Sequence, residues 1–502
     1  MNAAPLFDRD EGFYSEVTRE MLERSDFISP YLNGQAVSDK PIFLYWMQAA
    51  GVEAFGLNEI GIRVSSAIAA SIWVFATYFF ARRYFSPVIG LTAALTQATS
   101  VFVIIIGRQA TAEAWLNLFL ALAFFDIYRS FVSEDGSAEW KWAAYRVYLW
   151  VGLGFLTKGP VALVLPFGAA LLFAIFRRNW RPLLQLAFQP LGWLIFLASA
   201  APWYVAQTMR DGGKFVSEFF LQHNLGRFEQ PFDSHAGSFL YYVPMAFLLV
   251  LPYTTGLLRA AASVGAARRD PLALYLWLWF AFTFVFFSLS SSKLPHYLLY
   301  GMTPIFILIA AKQEEFRGSR IASVAPVIAT LALLFALRWI LPLAERYTTK
   351  ASILARIADA EAAFGLQAQV LLGIALLAVI ALLFVKRVKT WRLLPIAALI
   401  QAAALIGVVL PRVGAILQKP TVDTAQYLTA SGLPDAVLWD LDAPSLSFYR
   451  KQVTPSRPPR SGEAAVISID KLRDIGQSRI LFQEGAVAVI RVDATEDGAA
   501  TK

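Results

Sequence analysis

Residues 142–181 read WAAYRVYLWVGLGFLTKGPVALVLPFGAALLFAIFRRNWR: two apolar runs, 142–157 and 159–176, joined at Lys158-Gly159-Pro160 and closed by Arg177-Arg178-Asn179-Trp180-Arg181. A membrane-crossing helix needs roughly 20 mostly apolar residues, and cytoplasmic loops collect lysine and arginine. The stretch therefore reads as a transmembrane hairpin with Lys158 at its outer turn and the arginine cluster inside. Working outward, the basic turns Arg82-Arg83, Arg268-Arg269, Lys312 to Arg320 and Lys386-Arg387-Val388-Lys389 recur after every second apolar segment. The intervening, outward-facing turns hold Asp10-Glu11, Asp39-Lys40-Pro41, Lys158-Gly159-Pro160, His223 to Arg227 and Lys293-Leu294-Pro295-His296.

Composition supports the same class. The chain has 502 residues, 57% hydrophobic and 16% charged, whereas soluble domains are about 45–50% apolar. About twelve segments are long enough to span: 58–81, 86–106, 111–128, 142–157, 159–176, 187–207, 238–258, 272–290, 296–311, 322–342, 368–385 and 393–411. The expected fold is an α-helical polytopic membrane protein. A net charge of +8 comes from short clusters at helix ends, which suit anionic headgroups, and no basic stripe for nucleic acid is visible. Zero cysteines exclude a disulfide, a thiolate nucleophile and a cysteine metal site.

The alternation places residues 1–57 outside as an extracytoplasmic stretch, with an amphipathic helical pattern from Tyr14 to Arg24 suited to the bilayer surface. No apolar segment comes before it in the sequence, which leads to the expectation of a lost first helix upstream of Met1. Residues 58–411 form the helical membrane domain. Beyond Arg412 the acids Asp423, Asp435, Asp440 and Asp442 appear among short strand-like runs such as Ala436 to Trp439 and Ala464 to Ile467. Residues 412–494 are expected to form a small α/β domain on the outer face, followed by a disordered tail, 495–502. The long outward loops 208–237 and 343–367 are candidates for function.

Five ordered motifs over about 300 residues carry a resemblance. They are Asp10 to Leu22 followed by Asn33-Gly34; Asp39-Lys40-Pro41 to Trp46; Gly154 to Pro160; His223-Asn224-Leu225-Gly226-Arg227-Phe228; and Phe287 to Tyr297 with Lys293-Leu294-Pro295-His296 inside it. Together they resemble the protein O-mannosyltransferase-like superfamily of GT-C membrane glycosyltransferases, which includes the enzymes that put aminoarabinose on lipid A. The resemblance implies transfer of a sugar from a polyprenyl (undecaprenyl) phosphate carrier to an acceptor hydroxyl of lipid A, another lipid, a glycan or a protein. It places that chemistry at the periplasmic face of a bacterial inner membrane.

The residues suit that chemistry independently. A carboxylate can orient an attacking hydroxyl and take its proton; Asp10 matches the superfamily's position and Glu11 is the fallback. A departing phosphate needs charge-assisted donors, for which Lys40, Arg227 and Lys293 are the first candidates, with Tyr297 as a neutral donor and Lys158 as a further member. Lysines at helix ends also snorkel to headgroups without other work. The resemblance further implies a divalent metal, such as zinc, between an acid before Lys-Pro and a loop histidine. Here those are Asp39 and His223, a two-ligand set that is incomplete for zinc. His235 and His296 also fall in outward loops. Arg108 and Glu113 are expected to form an ion pair fixing a loop or, as the alternative, to contact the donor, and the tryptophans and tyrosines to populate interfacial belts. The alternatives are a transporter or flippase of lipid-linked sugars, against which the chain lacks paired half-repeats, and a non-catalytic scaffold, which leaves the five motifs unexplained.

Overall fold

The structure, a computed structural model, describes residues 4–226, 237–313, 319–473, 475 and 478–492. The expected tail, 495–502, lies outside them. Helix α1 (Asp10–Arg24) opens with Asp10 and Glu11 in its first turn, where carboxylates complement the helix dipole, and closes on a left-handed Ser25. It does not lie on the bilayer surface with a polar face outward. Glu16, Arg19 and Glu20 are buried with Val17 and Met21, because Arg19 pairs with Glu16 and Glu23 while Arg24 pairs with Glu20. A short hairpin follows, β1 (Tyr31–Leu32) against β2 (Gln35–Ala36). Its Asn33-Gly34 turn has φ of 51° and 78°, the positive values a two-residue hairpin of type I′ requires.

The membrane part begins with α2 (Phe43–Phe55), α3 (Glu59–Tyr84), α4 (Pro87–Ala98) and α5 (Val101–Ile106). The expected single span 86–106 is broken between α4 and α5. There the Thr99 hydroxyl bonds back to Leu95 O and the Ser100 hydroxyl reaches Leu249 O, so side chains compete with the helical ladder. Then come α6 (Glu113–Val132), α7 (Ala138–Lys158) and α8 (Val161–Arg177). The α7–α8 turn passes through Gly159 at φ 74°, a conformation that glycine adopts without strain. Among the described residues, five helices are long and apolar enough to cross a membrane, up to eight if each bent pair counts as one span. Three shorter apolar helices and α7 account for the remaining expected segments. One bent pair, Phe239–Leu249 with Thr254–Ala262, turns through 119°, so the expected span 238–258 is a broken one.

Among the described residues, two apolar cores hold the membrane part together. The larger gathers α1 to α8 with the helices Pro271–Leu289 and Met302–Ala311; the smaller joins Arg320–Ala344, Leu366–Leu382 and Thr390–Ala404. Arg412, where the composition changes, lies inside a helix, Leu410–Ala430, that continues past it. Beyond it stands a four-stranded sheet in the order β3 (Val437–Leu438), β4 (Ala464–Ser468), β6 (Val487–Val492), β5 (Ser478–Glu484), with β3 and β4 parallel and the other pairs antiparallel. This α/β unit docks on the N-terminal segment. Ser445 donates from its N–H and hydroxyl to Asp8 at 3.0 and 2.5 Å, and Tyr449 receives the Leu6 N–H at 2.7 Å and donates to Glu59 at 3.0 Å. The unit therefore sits at the end of the bundle where α1 begins.

Candidate active site

The hairpin of α6 and α7 brings together two charges far apart in sequence. Glu113 lies in the first turn of α6 and Lys158 ends α7, so each sits at the helix terminus whose dipole favours it. Lys158 Nζ is 2.5 Å from Glu113 Oε1 and donates to the Tyr300 hydroxyl at 2.8 Å; Tyr300 in turn donates to Glu113 Oε2. His296 Nε2 approaches Glu113 Oε1 at 3.4 Å. The tight turn Pro295–Gly301 supplies His296, Tyr297 and Tyr300, and in such a turn positions three apart eclipse. The Tyr297 and Tyr300 rings therefore both face the ammonium, with centroids 5.1 and 5.4 Å away, in range of cation–π attraction.

A second polar group stands across from this one. Lys40 Nζ is 2.7 Å from Asp39 Oδ2, the Tyr14 hydroxyl donates to the same oxygen at 3.1 Å, and His223 Nδ1 is 3.8 Å from Oδ1. The Tyr14 phenol is raised well above its ordinary value, by burial first and then by the negative charges of Asp39 and Asp10. It remains a proton donor. His223 sits in a widened, π-type turn, Glu218–Gly226, a geometry often found at functional sites.

The two groups share a cavity of about 520 Å³. Asp39, Lys40, Lys158, His223, Tyr297 and Tyr300 supply its polar wall; Val161, Val164, Phe219, Phe220, Phe286 and Phe287 supply an apolar one. Such a space suits a ligand with an anionic head and a hydrocarbon tail.

The structure sorts the expected residues. Lys40, Lys158 and Tyr297 line the cavity. Asp10 is exposed at the start of α1, near enough for its charge to act on Tyr14 and His296. Glu11 faces elsewhere: its buried carboxylate takes two bonds from Arg63, at 2.6 and 2.7 Å, and the N–H groups of Phe7 and Ala110 at 2.8 Å each. That makes it an anchor rather than a second base. Lys293 is buried with its ammonium on the carbonyls of Phe287, Ser288 and Ser290, so it caps the end of helix Pro271–Leu289 and is not among the cavity-lining residues. Glu113 pairs with Lys158, and Arg108 stays exposed. Arg227 and His235 lie outside the described residues. Asp39 and His223 do meet, yet among the described residues no group of three histidines, aspartates or glutamates could hold a metal. Two ligands at this spacing do not make a zinc site.

Tyr14 and Tyr300 were not singled out by the sequence, and Glu113 was weighed only together with Arg108. The available signal for Tyr300 was a tyrosine three positions after Tyr297.

Fold and cavity together define a multi-pass helical membrane protein with an amphiphilic cavity at one end of its bundle. A profile of the family described as dolichyl-phosphate-mannose-protein mannosyltransferase matches residues 39–205. An undecaprenyl phosphate-alpha-4-amino-4-deoxy-L-arabinose arabinosyl transferase of Aeromonas hydrophila is 30% identical over 319 residues, 63% of this chain and 57% of that protein. One of the same name from Pseudomonas paraeruginosa is 29% identical over 378 residues, 72% of this chain and 67% of the relative. The fold matches the crystal structure of ArnT from Cupriavidus metallidurans bound to undecaprenyl phosphate, with a TM-score of 0.79 at 20% identity, covering 97% of this chain and 94% of that one. In sequence and in fold the chain resembles the protein O-mannosyltransferase-like, ArnT-type glycosyltransferases. The first of these alignments spans little more than half the length of its relative.

Proposed function

We propose that this protein transfers a sugar from a polyprenyl-phosphate carrier to an acceptor hydroxyl at the periplasmic face of the inner membrane. The carrying observation is the two-walled cavity, in which Lys40 and Lys158 stand beside tyrosine hydroxyls and face a wall of valine and phenylalanine. The relatives named above act on an undecaprenyl-phosphate sugar, and a phosphate joined to an isoprenoid has the amphiphilic form this cavity accepts.

In the reaction, the acceptor oxygen attacks the anomeric carbon while the bond from that carbon to the phosphate oxygen breaks. The electron pair leaves with the phosphate, whose charge Lys40 and Lys158 balance through charge-assisted contacts. Tyr297 donates a neutral hydrogen bond. Asp10, at the free end of α1, orients the acceptor hydroxyl and takes its proton. A single displacement of this kind inverts the anomeric centre. Acceptors include lipid A, another lipid, a glycan or a protein hydroxyl. Asp39 serves to hold Lys40 and Tyr14.

Transfer of radiolabelled sugar from a polyprenyl-phosphate donor by the purified protein tests this, with Asp10→Asn alongside wild type. Asp10→Asn is expected to lose transfer by about 10²–10⁴-fold, the usual range for a general base. Equal transfer by both forms removes Asp10 from the chemistry. Absence of transfer by either, with solute accumulating in proteoliposomes, supports a carrier instead.

A further inference from the structure

We propose that a second cavity, on the cytoplasmic rim, binds the phosphate of an anionic glycerophospholipid. It encloses about 40 Å³ and lies where the two apolar cores meet. Thr255, Arg259, Lys312 and Gln313 come to it from one side, Ser323 and Thr390 from the other. Lys312 and Ser323 flank the basic stretch ending at Arg320, and Thr390 follows Lys386 to Lys389. By the positive-inside rule these turns mark the cytoplasmic end, opposite the candidate active site.

Three observations point to a ligand. The Thr255 hydroxyl and both polar atoms of the Gln313 amide are buried with no hydrogen-bond partner, and buried polar groups are otherwise nearly always satisfied. Two cations line the same space, and an arginine fork matches phosphate oxygens in pairs; both carry interactions within the chain as well. The volume then limits the occupant. A water takes about 10–15 Å³ on this scale, so the cavity holds the oxygens of one phosphate but no sugar ring.

Gln313 brings an acceptor as well as a donor, which a headgroup hydroxyl such as that of phosphatidylglycerol would satisfy. Leu258 and Ile321, next to the cavity in sequence, are 57% and 63% exposed and offer an apolar surface for an acyl chain. The cytoplasmic leaflet is negatively charged, which favours basic pockets of this kind. A lipid seated here joins the two helical cores.

The test measures thermal unfolding of the full chain in neutral detergent with phosphatidylglycerol, phosphatidylcholine or inorganic phosphate added. Wild type is compared with Arg259→Gln/Lys312→Gln and with Thr255→Ala, which keeps both charges. Phosphatidylglycerol is expected to raise the unfolding temperature of wild type well above the effect of phosphatidylcholine. Its apparent affinity is expected to fall about tenfold or more for each cation removed, and by a smaller factor in Thr255→Ala. If the double variant does not fold, Thr255→Ala decides the matter. Equal stabilisation of wild type and the folded variants overturns the site. The same rise with inorganic phosphate alone overturns the lipid as its source.

Discussion

Replacing Lys158 by methionine removes an ammonium 2.5 Å from Glu113 Oε1 and 2.8 Å from the Tyr300 hydroxyl. At 2.5 Å the gross attraction between unit charges is about 7 kcal/mol for an effective dielectric near 20, much of it offset by the cost of desolvating both groups. Taking away one partner of a buried pair costs about 3–5 kcal/mol, because the other is left charged and unpaired. Tyr300 still donates to Glu113, and His296 stands 3.4 Å away. The expected loss in Lys158→Met is therefore near the lower figure, about 3 kcal/mol. Adding Glu113→Gln removes the orphaned charge, and the double variant should return to within about 1 kcal/mol of wild type. Unfolding in detergent measures stability, and sugar transfer measures function. If Lys158 balances the leaving phosphate, the double variant regains stability without regaining transfer. A lost charge-assisted contact of about 1.5–3 kcal/mol corresponds to roughly ten- to a hundredfold in rate. Recovery of both stability and transfer refutes the phosphate role and leaves Lys158 as one half of a structural ion pair.

Glu11→Gln is expected to act through folding: it weakens the bond to Arg63 and costs about 3–5 kcal/mol, whereas Asp10→Asn at its exposed site changes stability by no more than about 0.5 kcal/mol. A Glu11→Gln protein as stable as wild type but without transfer would reverse the two assignments. A pH effect follows from Asp8, whose carboxyl is raised from 3.8 to about 7, chiefly by burial, against the lowering bonds from Ser445. The native state thus holds this proton more tightly than the unfolded chain. Its stabilising contribution is complete below the unfolded value and is lost as pH rises through about 7. Docking of the N-terminal segment on Ser445 should loosen between about pH 4 and 7, read as hydrogen exchange at the Leu6 amide rising faster than its intrinsic rate; Asp8→Asn should flatten the profile. Tighter protection at higher pH would contradict this.

The helical membrane fold was legible because it depends on hydropathy and on the placement of basic turns, both local properties. The α7–α8 turn was legible because Lys158-Gly159-Pro160 acts on its own neighbours. The breaks were not. Thr99 and Ser100 look unexceptional in an apolar run, and the Ser100 hydroxyl finds its partner in a carbonyl at Leu249, about 150 residues away. The site divides in the same manner. Lys40, Lys158 and Tyr297 stood out as cations or donors beside outward turns, and the outward turns do converge. Glu113 stood next to Arg108 in sequence, which suggested the wrong partner, since helix geometry turns it toward Lys158. Lys293 had the composition of a phosphate ligand, but its ammonium was taken up by the carbonyls at a helix end, a local contact that composition cannot reveal.

Helix α1 explains why neighbouring residues have different fates. Successive positions on a helix are about 100° apart, so Asp10 and Tyr14, four apart, share the face toward Asp39 and the cavity. Glu11 turns to Arg63 and Ala110, and Gly12 meets the C-terminal unit. A Cβ at Gly12 would lie 2.1 Å from Asp8 Oδ1 and 2.9 Å from Ser445 N. The side-chain oxygen can rotate away; the backbone nitrogen cannot. Gly12→Ala is therefore expected to push the C-terminal unit off α1 and tilt the face bearing Asp10, lowering transfer although it touches no reacting group. The cost should be about 1–3 kcal/mol, the usual range for overpacking, and proteolysis at the connection after Ala430 should quicken. If Gly12→Ala keeps both wild-type transfer and wild-type resistance to proteolysis, the C-terminal unit does not position the base through α1, and its contribution must be sought on the acceptor side.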